Sequence, residues 1–114
     1  MDEHLRQAIA SFHRGDYFGA GERFELAIHA AEPQMREVIE AFNRIAAALH
    51  LRFQRGGRQG SINLLSQALL ALEDAKPARG GVDIERLCAD IAAFTEELRA
   101  TSRGITLHEV YEAD

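Results

Sequence analysis

Glu22, Glu25 and His29 fall within eight positions and are the first side chains in the sequence whose types could do chemistry together. A helix puts residues three and four apart on one side. Glu25 and His29 then stand one turn apart, able to share a metal ion or a proton. Helical phase offers another reading. Glu22 and His29 project away from the apolar stripe of the same segment, so the periodicity favours a solvated face. A better polar set spans two segments. Glu25 pairs with Asn43 and His50, which flank the apolar stripe of the next helix. With Gly21 and Glu22 they outline a candidate pocket between the second and third helices. Ordinary hydrogen bonding at a helix boundary would explain the same residues.

Other chemistries are poorly served. Cys88 lies on an apolar helical face with no histidine near it in sequence, which reads as a small core residue and not a nucleophile. His4, His13 and His108 read as surface or capping residues. "RGGRQG" is glycine-rich, but it follows a helix and lacks the lysine of a phosphate-binding loop. No Ser-centred nucleophile motif occurs. Arg52, Arg55 and Arg58 cluster where they would neutralise a helix C-terminus, an anion site being the alternative. A single cysteine and no Cys/His set at zinc spacing lead us to expect no disulfide, metal or cofactor, and a cytoplasmic chain. The net charge of −5 argues against nonspecific nucleic-acid binding. No apolar run is long enough for a bilayer, and "MDEHLRQAIA" is unlike a signal peptide.

The elements that must carry these residues are helical throughout. The 114 residues are 46% hydrophobic and 27% charged, which fits one domain with a modest core. Apolar positions recur at helical spacing and none alternate as in a strand, so no sheet is expected. Helix one is predicted over about 2–13, with Leu5, Ala8, Ile9 and Phe12 on one face, and Gly15-Asp16 breaks it. Helix two, about 17–31, carries Tyr17, Ala20, Gly21, Phe24, Ala27 and Ile28. Pro33 suits the first turn of helix three, which carries Met35, Val38, Ile39, Phe42, Ile45, Ala46, Leu49 and Phe53. Helix four runs from about Gly60 to Asp74 on Ile62, Leu65, Ala68, Leu69 and Leu72. After "AKPARGGV", Asp83 reads as the N-cap of helix five, with Ile84, Leu87, Cys88, Ile91, Thr95 and Leu98.

Two segments align at an offset of 41 positions, "RGDYFGAGERFELAI" with "RGGRQGSINLLSQAL". Gly15 meets Gly56, Ala20 meets Ser61, Phe24 meets Leu65 and Ala27 meets Ala68. Small residues at Ala20 and Ser61 let helices approach, and large ones a turn later fill the gap. The expected architecture is all-α: two stacked helical hairpins plus a closing helix over residues 1–103. A tail, 104–114, carries Ile105, Leu107, Val110 and Tyr111, with Thr106 and Glu109 at capping-box spacing. It reads either as a segment that docks into a groove, on its own subunit or on a second copy, or as a frayed end.

The first hairpin resembles a tetratricopeptide repeat at Gly15-Asp16-Tyr17, Ala20, Phe24, Ala27, Ile28 and Pro33. From Phe12 to about Leu98 the chain resembles the domain of unknown function 309 family, through "FHRGDYFGAGE", "RIAAALHL", "RGGRQGSINLLSQALLALE" and "RGGVDIERL" in order. That resemblance implies a compact all-α domain and no particular activity. The family reads Ala-His-Glu where this chain has Ala20-Gly21-Glu22, and tryptophan where it has Ile28. Any chemistry owed to that histidine is therefore lost here. Gly21 costs about 1 kcal/mol of helix propensity relative to alanine. Its place on the inner face points to close helix approach or a small cavity.

Two functions follow as expectations. The first is a non-enzymatic module that binds a protein or peptide, a homodimer being one version. The second is an enzyme or small-ligand binder using the pocket of Gly21, Glu22, Glu25, Asn43 and His50.

Overall fold

The computed structural model describes the backbone of residues 2–103 and the side chains of residues 2–100. The expectations for the tail at 104–114 lie outside the described residues. Five helices follow one another: α1 Glu3–His13, α2 Tyr17–Ala30, α3 Pro33–Gln54, α4 Gln59–Leu72 and α5 Ile84–Arg103. The chain is an all-α domain of two stacked hairpins and a closing helix. Each helix packs on the next in sequence; short loops reverse the chain from α1 through α4, and a longer link over residues 73–83 joins α4 to α5.

Aspartates set three of the helix starts. Asp2 accepts a hydrogen bond from the Leu5 amide at 3.2 Å, Asp16 from Gly19 at 3.0 Å and Asp83 from Arg86 at 2.9 Å. Each satisfies an amide that has no partner within its own helix. Pro33 occupies the first turn of α3, as its missing donor allows.

Burial follows the expected stripes and adds to them. Leu5, Ala8, Ala20, Phe24, Ala27, Ile39, Phe42, Ile45, Leu65, Ala68 and Ile84 form one core. On α3, Ala41 and Ala48 are buried as well, because this helix packs against both α2 and α4. Ser61 is fully buried at the place equivalent to Ala20, where a small residue lets α4 close on α3. Ser11 is buried too, and its hydroxyl accepts from Arg14 at 3.1 Å. Thr95 returns its hydroxyl to the Ile91 carbonyl at 2.8 Å, which makes it tolerable on an apolar face.

Two expectations need correction. The break before α5 is not wholly irregular. A single turn of 3-10 helix over Glu73–Ala75 leads to a two-stranded ribbon, β1 Ala78–Arg79 and β2 Val82–Asp83. Ala78 pairs with Asp83 and Arg79 with Val82, antiparallel. Gly80 and Gly81 make the turn at φ of 60° and 80°, the left-handed pair that a two-residue hairpin requires. Secondly, Phe53 does not join the core. It is 55% exposed, because α3 carries it to the end of the helix pack.

Candidate functional site

Helices α2 and α3 are joined by only two residues and lie side by side along their length. Tyr17, Phe18, Gly21, Glu22 and Glu25 form a stripe on α2, and Asn43, Ala47 and His50 form the facing stripe on α3. Both sets follow the three- and four-residue spacing that stacks side chains up one side of a helix. Between them is a cleft of about 300 Å³. The structure thus brings Gly21, Glu22, Glu25, Asn43 and His50 to one place. His29 is exposed and does not line it.

Within the cleft the Asn43 amide nitrogen donates to Glu25 Oε1 at 2.8 Å. That bond fixes the orientation of the amide. Its oxygen faces Gly21, where a Cβ would come within 3.2 Å of it. The glycine therefore stands at the α2–α3 approach, and the missing side chain leaves the cleft open. At one end the Phe18 ring lies tilted over His50, centroids 5.8 Å apart. Among the described residues, no group of three or more His, Cys, Asp or Glu is placed to hold a metal ion.

A second cleft, of about 330 Å³, was not foreseen from the sequence as a site. It is an apolar groove on another face of α3. Ile9 and Phe12 of α1 form one wall, Phe24, Phe42 and Ile45 the floor, and Val82 with Leu87 the other wall. His13 and Asp83 are the polar residues lining it. Leu87 shares the groove with Ile45, and farther along Phe94 meets Phe53 at 6.1 Å, so α5 runs beside α3 in the same direction. The second wall depends on the ribbon, which no helical period could reveal.

A row of rings starts in this groove. Phe12 meets Tyr17 edge-on at 5.3 Å, Tyr17 stacks on Phe53 at 6.2 Å, and Phe53 meets Phe94. It links α1, α2, α3 and α5 through aromatic contacts.

The arginine cluster is partly tucked in. The Nε atoms of Arg52 and Arg58 are buried without a protein acceptor, and the Arg52 guanidinium lies 5.7 Å from the Phe53 ring centre. Cys88 is 5% exposed on the core side of α5. Burial pushes its thiol pKa up, with Lys76 pulling the other way and Glu73 adding to the rise. Such a thiol is a poor nucleophile at neutral pH.

The chain matches no family model, no curated protein and no solved structure among those it was compared with. Among the described residues, no helix is long and apolar enough to cross a membrane.

Proposed function

We propose that this chain is a non-enzymatic helical module that binds another protein, taking an amphipathic helix of its partner into the groove between α1 and α5. The observation that carries this is the groove itself. Its walls are half-buried Ile9, Phe12, Val82 and Leu87, set around a floor of core residues. Apolar side chains left partly in water around a concavity gain by being covered. A helix presenting apolar anchors at i, i+3 or i+4 and i+7 supplies that cover. His13 and Asp83, the two polar residues of the lining, would hold its register. We assign the module to the cytoplasm on its lone, buried cysteine, and its net charge of −5 speaks against a nucleic-acid partner.

Selection from a displayed library of helical peptides, followed by amide-shift mapping, tests this reading. Selected peptides should carry apolar residues at helical spacing and shift the amides of Phe42, Ile45 and Leu87. Leu87→Lys, which stays helical because Leu87 is only half-buried, should abolish those shifts. Selected peptides that map elsewhere, or binding that survives Leu87→Lys, would overturn it. Sedimentation of the chain alone shows whether a second copy occupies the groove instead.

A further inference from the structure

We propose that the tail, 104–114, occupies the apolar groove of its own chain: it folds back along α5, seats Tyr111 between Phe12 and Leu87, and must be displaced before a partner binds. This rests on the reading of the groove as a docking site and names what regulates it. α5 ends at Arg103, and residues 104–114 follow with Ile105, Leu107, Val110 and Tyr111 among them. Gly104 comes first, the residue type that most readily ends a helix in a reversal. Leu87 lies sixteen residues before Arg103, about 24 Å back along the helix. Run out as a strand, the seven steps from Gly104 to Tyr111 cover about 23 Å. Coiled as a helix they cover only about 10 Å and stop short of the groove. Ile105, Leu107 and Tyr111 hold alternate positions of one parity, so an extended tail presents all three on one side.

The path between the end of α5 and the groove is apolar. Phe94 and Phe53 meet there at 6.1 Å. Phe53 is 55% exposed and stacks on Tyr17, which in turn meets Phe12 on the groove wall. A tail laid back along α5 brings Leu107 near Phe94 and Phe53, and covers a ring that the five helices leave in water. The groove then suits the anchor that arrives last. A buried tyrosine needs a partner for its hydroxyl. His13 and Asp83, the polar residues of the lining, offer one within an otherwise apolar concavity. Tethering does the rest. A segment joined to its site by a short linker binds as though present at a concentration on the order of millimolar, so a modest fit holds it against a free peptide.

A nitroxide carried on Ala113→Cys of the full chain, in a Cys88→Ala background checked for helicity, tests the proposal. It should broaden the amides of Ile9, Phe12 and Leu87, and Leu107→Ser with Tyr111→Ser should erase that broadening. Broadening confined to the end of α5, or unchanged in the double variant, would overturn it. So would broadening passed to an isotope-labelled chain that carries no nitroxide, which would put the tail in the groove of a second copy. A measurement without cysteine changes runs beside it: Leu107→Ser with Tyr111→Ser alone should shift the amides of Phe42, Ile45 and Leu87, and unmoved amides count against the proposal. Helical peptides selected on the groove should bind this double variant about tenfold more tightly, the gain expected when a competitor seated about nine-tenths of the time is removed. Equal affinity for both chains would refute the tail and spare the groove as a docking site. Broadening with no peptide bound by either chain would refute the partner reading and uphold the tail.

Discussion

Ser61 donates its hydroxyl hydrogen to the carbonyl oxygen of Ala48 at 2.9 Å, a buried bond that ties α4 to α3. The equivalent place in the first hairpin is Ala20, equally buried and with no hydroxyl. Alanine therefore fits such a site. Ser61→Ala should cost only the net worth of the bond, about 0.5–1.5 kcal/mol, since the Ala48 carbonyl keeps its own helical donor. Urea unfolding followed by circular dichroism measures it. An unchanged midpoint would show that close approach alone, without the hydroxyl, holds this interface.

Gly15 and Gly56 end α1 and α3 with the same left-handed backbone, at φ of 82° and 72°. A Cβ on either would meet nothing within 4 Å, so alanine there is penalised by the backbone alone. Gly15→Ala and Gly56→Ala should each destabilise by about 1–2 kcal/mol. Thermal melts of the two variants should shift by similar amounts. A large effect at one and none at the other would separate two turns that look equivalent.

Gly21→Ala sets helix propensity against crowding. The gain in propensity is about 1 kcal/mol. The new methyl would stand 3.2 Å from Asn43 Oδ1, an amide on a half-buried side chain that can move by a few tenths of an ångström. The variant should therefore be slightly more stable while loosening the Asn43–Glu25 bond. Comparing denaturant midpoints of Gly21→Ala in the wild-type and Asn43→Ala backgrounds tests this. A loss of stability that disappears in the Asn43→Ala background would show that the amide cannot yield. A histidine at the same place should crowd further and lose roughly 1–3 kcal/mol.

Cys88 links folding to alkaline pH. Burial raises its thiol pKa above that of the exposed thiol in the unfolded chain. The folded chain then holds the thiol proton more tightly than the unfolded chain does. Its stability is intact below the unfolded pKa and falls as pH rises toward and through the folded one. Unfolding free energies across that range should decline more steeply for the wild type than for Cys88→Ala. Parallel curves would mean the thiol is not shielded.

The helices were legible because each carries its own period and its own punctuation. Asp83 is an example: an acidic residue directly before Ile84 and Leu87 signals a helix start, and its carboxylate does cap α5. The ribbon escaped because each strand has two residues, too few to display alternation, although Gly80-Gly81 is a hairpin signal in its own right. Gly21, Glu22, Glu25, Asn43 and His50 could be grouped beforehand because two helices joined by a tight turn must lie side by side. The groove could not. Ile9, Phe42 and Leu87 meet only through the angles between three helices, and each alone reads as ordinary core. Phe53 shows the same limit: its phase is apolar, but its distance along α3 puts it at the edge.

The row of rings from Phe12 to Phe94 gives the chain a built-in optical gauge. The sequence has no tryptophan and only two tyrosines, so Tyr17 is an uncrowded chromophore. It touches Phe12 directly and stacks on Phe53, which lies against Phe94. Light absorbed by Phe53 and Phe94, which are distant from Tyr17 in sequence, passes to the phenol most efficiently while α2, α3 and α5 stay together. The phenylalanine-excited share of tyrosine fluorescence should therefore fall as these helices separate, without any label.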